Sequence, residues 1–325
     1  MDTVLFSVRA ILPMLVTIGI GMLFAFVSKW DKRFFRQLNA LVFRLLMPLN
    51  LFNNILSISH ADALNWRALV FLLGSSLLWI LVGFFAAYAF RVEPRKKSAV
   101  IQAAFRSNVA VIGLALVSAI SGENEAMATA FVALVIGFAA IINNVVGVIL
   151  LSADTGPEKK RLPVTTILKN PLLIGALSGI VFLALKNLGV FSLAQAAPRL
   201  LSAVASLAKT ASPIALFCLG AVLDFQAIHE MRKEIAVGVS LRLVVCPAVT
   251  IGLAILFLTP LGITKAEMPG ILALSATPVA VSSATMIQEM GGDAQLANHL
   301  VVWSSVLSMI SLFVFIVVLK NAGLL

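Results

Sequence analysis

Apolar residues fill long blocks of this chain, and polar residues are confined to the short segments between them. Ten such runs stand out: 8–28, 38–57, 66–90, 98–120, 127–151, 170–187, 199–222, 234–257, 269–289 and 295–319. Crossing about 30 Å of hydrocarbon takes about 20 helical residues, so each run predicts a transmembrane helix, with the sixth the shortest. Lipid offers no partner for backbone polar groups, so helices rather than open sheets must carry these runs. The first run lacks a small-residue cleavage pattern and reads as a retained helix. The pattern predicts an all-α integral membrane protein with ten transmembrane helices.

Composition agrees. The chain is 61% hydrophobic and 12% charged, with a mean hydropathy of +1.06, whereas soluble domains carry about 25% charged residues. A net charge of +10 suits nucleic acid in principle, but its placement points to a lipid bilayer and to no nucleic acid. Lys29, Lys32, Arg33 and Arg36 lie between runs one and two, Arg91, Arg95, Lys96 and Lys97 between three and four, Lys159, Lys160, Arg161 and Lys169 between five and six, and Arg232 and Lys233 between seven and eight. The even-numbered connections and the tails hold six cations, and Glu123 and Glu125 make the fourth connection acidic. Cytoplasmic loops are the basic ones, which puts both termini on the extracytoplasmic side of a plasma membrane, although Asp293 in the ninth connection runs against the trend.

The longest connection, Ser152 to Lys169, is turn-rich and charged and reads as a solvated linker. It divides the chain into residues 1–152, with runs one to five, a cytoplasmic linker over 153–169, and residues 170–325, with runs six to ten. Five is odd, so two similar halves must have opposite topology. The halves share a pattern: Arg44 and Lys209 each precede a proline (Pro48, Pro213) by four residues, and Phe52 and Phe217 follow it by four. Asn108-Val109-Ala110-Val111 in run four matches Pro278-Val279-Ala280-Val281 in run nine at a nearly equal spacing. The expectation is two inverted five-helix repeats.

Candidate chemistry gathers in runs four and nine. Pro278 lies about nine residues into its run, roughly 13 Å deep at 1.5 Å per residue. Proline removes a backbone donor, and its neighbours Ser275, Thr277, Ser282 and Ser283 are small and hydroxylated. A kink in a packed helix is one reading. The other is a broken helix, in which the N–H groups from about Val279 through Ala280 to Ser282 form a positive N-terminus able to hold an anion. In run four Ser107 and Asn108 compete for backbone bonds, and Arg106 sits roughly 12 Å deep, facing a ligand or snorkelling to the surface. Arg44 and Lys209 steer an anion inward from the two sides or snorkel; Arg242 is snorkelling or structural. Asn50 and Asn143, with Asn144 beside it, join the site or glue helices together. On this reading Asn108→Ala and Pro278→Ala impair transport more than Arg242→Gln.

Exclusions narrow the chemistry. No carboxylate lies in the central third of any run, which argues against a cation as principal substrate and against a carboxylate proton relay. His60, His229 and His299 have no metal-ligand spacing, and Cys218 and Cys246 lie inside runs, so neither a metal site nor a disulfide framework is expected. An intramembrane enzyme would need a paired-aspartate motif, an HExxH or a serine–histidine pair at one depth, and none is present.

Over its whole length the chain resembles the auxin efflux carrier family, the PIN-like permeases with bacterial members. The resemblance rests on Pro48-Leu49 with Phe52, Arg106-Ser107-Asn108 with Gly113, Asn170-Pro171, Pro213 with Gly220, and Pro278, in that order. Plant members tend to carry proline at the fourth-helix break; here Asn108-Val109 has none. The resemblance implies a fold like that of sodium–bile acid symporters, with helices four and nine broken and crossing. Helices one, two, six and seven would form a scaffold, and three to five and eight to ten a moving transport domain. It implies a small organic anion as substrate, a carboxylate or auxin-like molecule, and a homodimer. The short central loop resembles bacterial members and so a bacterial inner membrane. No cofactor is called for, and coupling to a proton or to sodium stays open. The leading expectation is secondary transport of the anion by an elevator-type alternating-access motion. The alternatives are a sodium-coupled symporter of bile-acid-like anions and a membrane sensor that binds a ligand without moving it.

Overall fold

The computed structural model describes residues 2–28, 30–56, 65–121, 125–154, 169–224, 226, 228–257, 260 and 262–325. Most of the central linker, residues 155–168, lies outside the described residues, as do Lys29, His60 and Glu123.

Helices form over every apolar run. They are α1 (Asp2–Ser28), α2 (Lys32–Leu41), α3 (Met47–Leu56), α4 (Trp66–Ala89), α5 (Pro94–Phe105), α6 (Leu114–Ile120), α7 (Glu125–Asp154), α8 (Pro171–Asn187), the short α9 (Leu193–Ala196), α10 (Pro198–Lys209), α11 (Ala211–Val222), α12 (Ile228–Ser240), α13 (Cys246–Leu256), α14 (Met268–Ala276), α15 (Val281–Glu289) and α16 (Ala294–Asn321). One-turn π segments join α2 to α3 (Val42–Leu46), open α6 (Val109–Gly113) and join α12 to α13 (Leu241–Val245). Among the described residues, four helical stretches are long and apolar enough to cross a membrane: Trp66–Ala89, Pro198–Val222, Ile228–Leu256 and Ala294–Asn321. Large apolar side chains such as Phe26 and Phe85, 84% and 81% exposed, face outward, as they do when lipid is the solvent.

Local chemistry sets the helix starts. Asp31, Asn65, Asn170 and Asp293 each accept a bond from a backbone N–H of the first turn, which satisfies donors that have no partner within the helix. Pro171 follows Asn170 at the first helical position, where its missing N–H costs nothing.

Two close helix pairs flank the centre. α1 lies along α11, and α3 lies along α8. The backbones nearly touch: a Cβ on Gly21 would meet the Phe217 carbonyl at 2.1 Å, one on Gly220 the Ile18 carbonyl at 2.0 Å, and one on Gly175 the Pro48 carbonyl at 2.4 Å. Small residues permit this approach where helices associate by van der Waals packing rather than by apolar burial. Gly220 and Pro48, two residues of the family pattern, are thus packing residues.

Runs four and nine are each interrupted. α5 stops at Phe105 and α14 at Ala276, and the chain is extended at Arg106 (φ −94°, ψ 99°), Thr277 (φ −70°, ψ 152°) and Ala280 (φ −65°, ψ 133°). The two interruptions meet at an antiparallel bridge pairing Ser107 with Val279. Pro278 is a break and not a kink.

Candidate functional site

The bridge comes first, because it holds everything else. Asn108 N–H donates to the Pro278 carbonyl at 2.8 Å, and Ala280 N–H donates to the Arg106 carbonyl at 2.9 Å. Each broken helix therefore supplies one donor and one acceptor to the other, which replaces two of the backbone bonds lost at the breaks. In run nine the cause is local: Pro278 donates nothing, and the residue before a proline is pushed toward extended backbone. In run four the cause is tertiary. The Asn108 side chain was expected to compete for backbone bonds; its amide instead faces Met14 Sδ at 3.7 Å, and the main-chain bonds to run nine hold the break. The register is also corrected. Asn108 stands across from Pro278 as donor to acceptor; about the bridge its equivalent is Ala280, and the equivalent of Pro278 is Arg106.

The break exposes helix ends. The Val279 N–H is taken by Ser304 Oγ at 3.0 Å, and Ala280 N–H by the bridge. This corrects the expectation that both would be free. Among the described residues, the N–H groups of Val281 and Ser282 at the start of α15 have no acceptor. They form the positive end of the helix.

Arg106 lies beside that end and is 4% exposed, so it does not snorkel. Its Nη1 donates to the Asn143 carbonyl at 3.2 Å and, weakly, to Gln102 Oε1 and Met286 Sδ; its Nη2 donates to Asn144 Oδ1 at 3.1 Å and Ser282 Oγ at 3.2 Å. None of these partners is a carboxylate. Gly147 makes room for the guanidinium: a Cβ there would stand 2.9 Å from Nη1.

Arg242, at the centre of the α12–α13 stretch, is 1% exposed. It donates through Nε to the Thr277 carbonyl at 2.8 Å, through Nη1 to the Ala104 carbonyl at 3.1 Å, and through Nη2 to the Leu274 carbonyl at 2.8 Å and to the Ser275 carbonyl. It is structural, of the two readings open to it, and its four bonds tie the carboxyl ends of α5 and α14 together. That raises it above Asn108 and Pro278 in expected effect. Its depth was the available signal: about eight residues into run eight, or roughly 12 Å, it lies as deep as Arg106.

A cavity of about 150 Å³ opens against this crossing. Of the predicted site residues, Asn50, Arg106, Ser107, Asn108, Asn143, Ala280 and Ser282 line it. Thr277, Pro278, Val279 and Ser283 do not; they are buried in the break, and the Thr277 hydroxyl donates to its own helix at Ala273. Arg44 and Lys209 are exposed and away from the cavity; Arg44 lies 3.8 Å from Glu289. Residues not singled out beforehand complete the wall, among them Trp79, whose Nε1 donates to Thr250 Oγ1 at 2.9 Å. Asn143 Oδ1 is buried without a partner among the described residues. Among those residues no group of histidine, cysteine and carboxylate side chains has the makings of a metal site.

The wall is thus donor-rich, with a fixed cation, two free N–H groups and several amides and hydroxyls. Such a surface complements a negative charge. No individual curated protein matches the chain. The family model described as "Membrane transport protein" matches residues 6–166 and again 161–316. The chain therefore belongs to the membrane transport protein family, that of the auxin efflux carriers, and is a multi-pass membrane protein.

Proposed function

We propose that this protein is a secondary active transporter of a small organic anion, a carboxylate or auxin-like molecule, that works by elevator-type alternating access. One observation carries the reading: Arg106 is buried at the crossing without a carboxylate partner, next to the free N–H groups of Val281 and Ser282, on the wall of a cavity. A buried cation at the positive end of a helix is unfavourable until an anion joins it. A carboxylate between them would accept from the guanidinium and the N–H groups at once.

On this reading ten transmembrane helices form two inverted five-helix repeats in a bacterial inner membrane, with both termini extracytoplasmic. Reciprocal bonding at the bridge supports the repeat, as does the matched close packing of α1 on α11 and α3 on α8. Runs one, two, six and seven form the scaffold, and the other six move as the transport domain. The cavity wall supports that division, because it draws Asn50 and Ser212 from the first group and Arg106 and Ser282 from the second.

The test is uptake of small radiolabelled carboxylates by proteoliposomes containing the full chain. Saturable uptake above that of empty liposomes, reduced at least tenfold in Arg106→Gln, is expected. Movement of an inorganic cation with no anion flux would sink the proposal, and binding without flux would favour a sensor.

A further inference from the structure

A coupling sodium ion is the group that a crossing of broken helices invites, because half-helix carboxyl ends and unwound carbonyls are its usual ligands. The donor set here can be tested for that fit. α5 and α14 both end at the crossing, and the carboxyl end of a helix carries about half a negative charge. Two such ends side by side repel each other and attract a cation. The oxygens that would hold it are the carbonyls of Ala104, Leu274, Ser275 and Thr277, and all four already accept from the Arg242 guanidinium. Cys246 Sγ, 3.1 Å from the Ala104 carbonyl, fills the remaining side. The nearby hydroxyls of Ser275 and Thr277 donate back into α14, to Ile271 and Ala273. A sodium ion does not fit these residues.

We propose that Arg242 is a built-in cation: its guanidinium permanently occupies the seat that the paired carboxyl ends of α5 and α14 would otherwise offer to a coupling sodium ion. The inference deepens the anion-transport reading and rests on it for its functional meaning. Arg242 cancels the negative ends of the two half-helices. The positive end of α15 and Arg106 then face the cavity without an opposing field. A bound ion would come and go with the transport cycle, whereas a covalently tethered one stays. The crossing is therefore set for an anion throughout the cycle without a sodium ion bound at this seat. Arg242 also lines the cavity, but its four bonds all go to backbone carbonyls, and it acts as a positioning residue through the helix ends it holds.

The test uses the purified full chain in detergent and needs no knowledge of the substrate. Melting temperature is read in sodium chloride and in choline chloride, with and without millimolar guanidinium chloride, for the wild type, Arg242→Ala and Arg242→Lys. The wild type should melt at the same temperature in all conditions and show no saturable binding of radioactive sodium. Arg242→Ala should melt lower, and sodium or guanidinium should raise its melting temperature saturably, since a ligand that binds only the folded state stabilises it by mass action. A merely structural arginine gives no such cation-specific rescue. Arg242→Lys keeps a tethered cation and should melt between the two without a sodium response.

Saturable sodium binding by the wild type overturns the proposal. So does a folded Arg242→Ala that ignores both cations, or an Arg242→Lys that responds to sodium as the alanine variant does. If Arg242→Ala does not fold, the wild-type and lysine measurements still decide. Failure of carboxylate uptake in proteoliposomes would remove the anion reading and leave these results untouched.

Discussion

The crossing holds two buried arginines, and they differ in what they bond. Arg242 donates only to backbone carbonyls, four of them. Arg106 donates mainly to side chains, an amide, a hydroxyl and a thioether among them, and to a single carbonyl. Backbone partners cannot turn away, so Arg242 is locked into the architecture. Side-chain partners can rotate, and a ligand can replace them, so Arg106 is available for exchange. Two residues of one type at one depth thus hold opposite jobs: one neutralises the carboxyl ends of the broken helices, and the other adds to the amino ends.

The comparison can be broken by substitution. Arg242→Gln should have the largest effect on stability. It leaves most of four buried carbonyls unpaired at about 1–3 kcal/mol each, a loss of about 3 kcal/mol or more, seen as a large fall in melting temperature. If Arg242→Gln melts like the wild type, the lock does not exist. Arg106→Gln should do the reverse, with a melting temperature close to wild type and anion uptake reduced at least tenfold. Equal stability losses at the two positions would erase the distinction.

Smaller changes sharpen it. Gly147→Ala places a methyl group 2.9 Å from Arg106 Nη1 and should shift the guanidinium without removing its charge. The expected result is a several-fold rise in KM with little change in melting temperature. Asn108→Ala keeps the bridge, because the main-chain N–H makes that bond; it should lower uptake a few-fold through the cavity wall and leave stability nearly unchanged. Arg44→Gln should matter least. Its pair with Glu289 is long, 3.8 Å, and its own side chain is 73% exposed, so the pair is worth about 0–1 kcal/mol, and any loss of uptake should be near twofold and confined to low salt, where steering is unscreened.

Much of this site was legible in the residue pattern. A proline amid small hydroxylated residues at mid-depth marked run nine for a kink or a break, because proline's missing N–H acts within its own helix, and the bridge made it a break. Arg106 could be found as a charge buried too deep in an apolar run to be cheap. Depth alone could not say what it faced; it needed Asn144, Ser282 and Gly147, which come from two other helices. Arg242 was visible as a deep cation, yet with no partner at a matching place in the first half it gave no hint that four carbonyls from two helix ends converge on it.

By itself the sequence determined what depends on chain-local physics. Runs of about 20 apolar residues make membrane helices because lipid leaves backbone groups no other partner, caps set where those helices start, and Pro278 ends α14. Only the tertiary structure decided the rest. Run four has no proline, and its break exists because Asn108 and Arg106 exchange backbone bonds with Ala280 and Pro278. Those bonds span about 170 residues of chain. Which arginine locks and which one waits for a ligand is decided at the same place, by the helix ends that packing brings to each guanidinium.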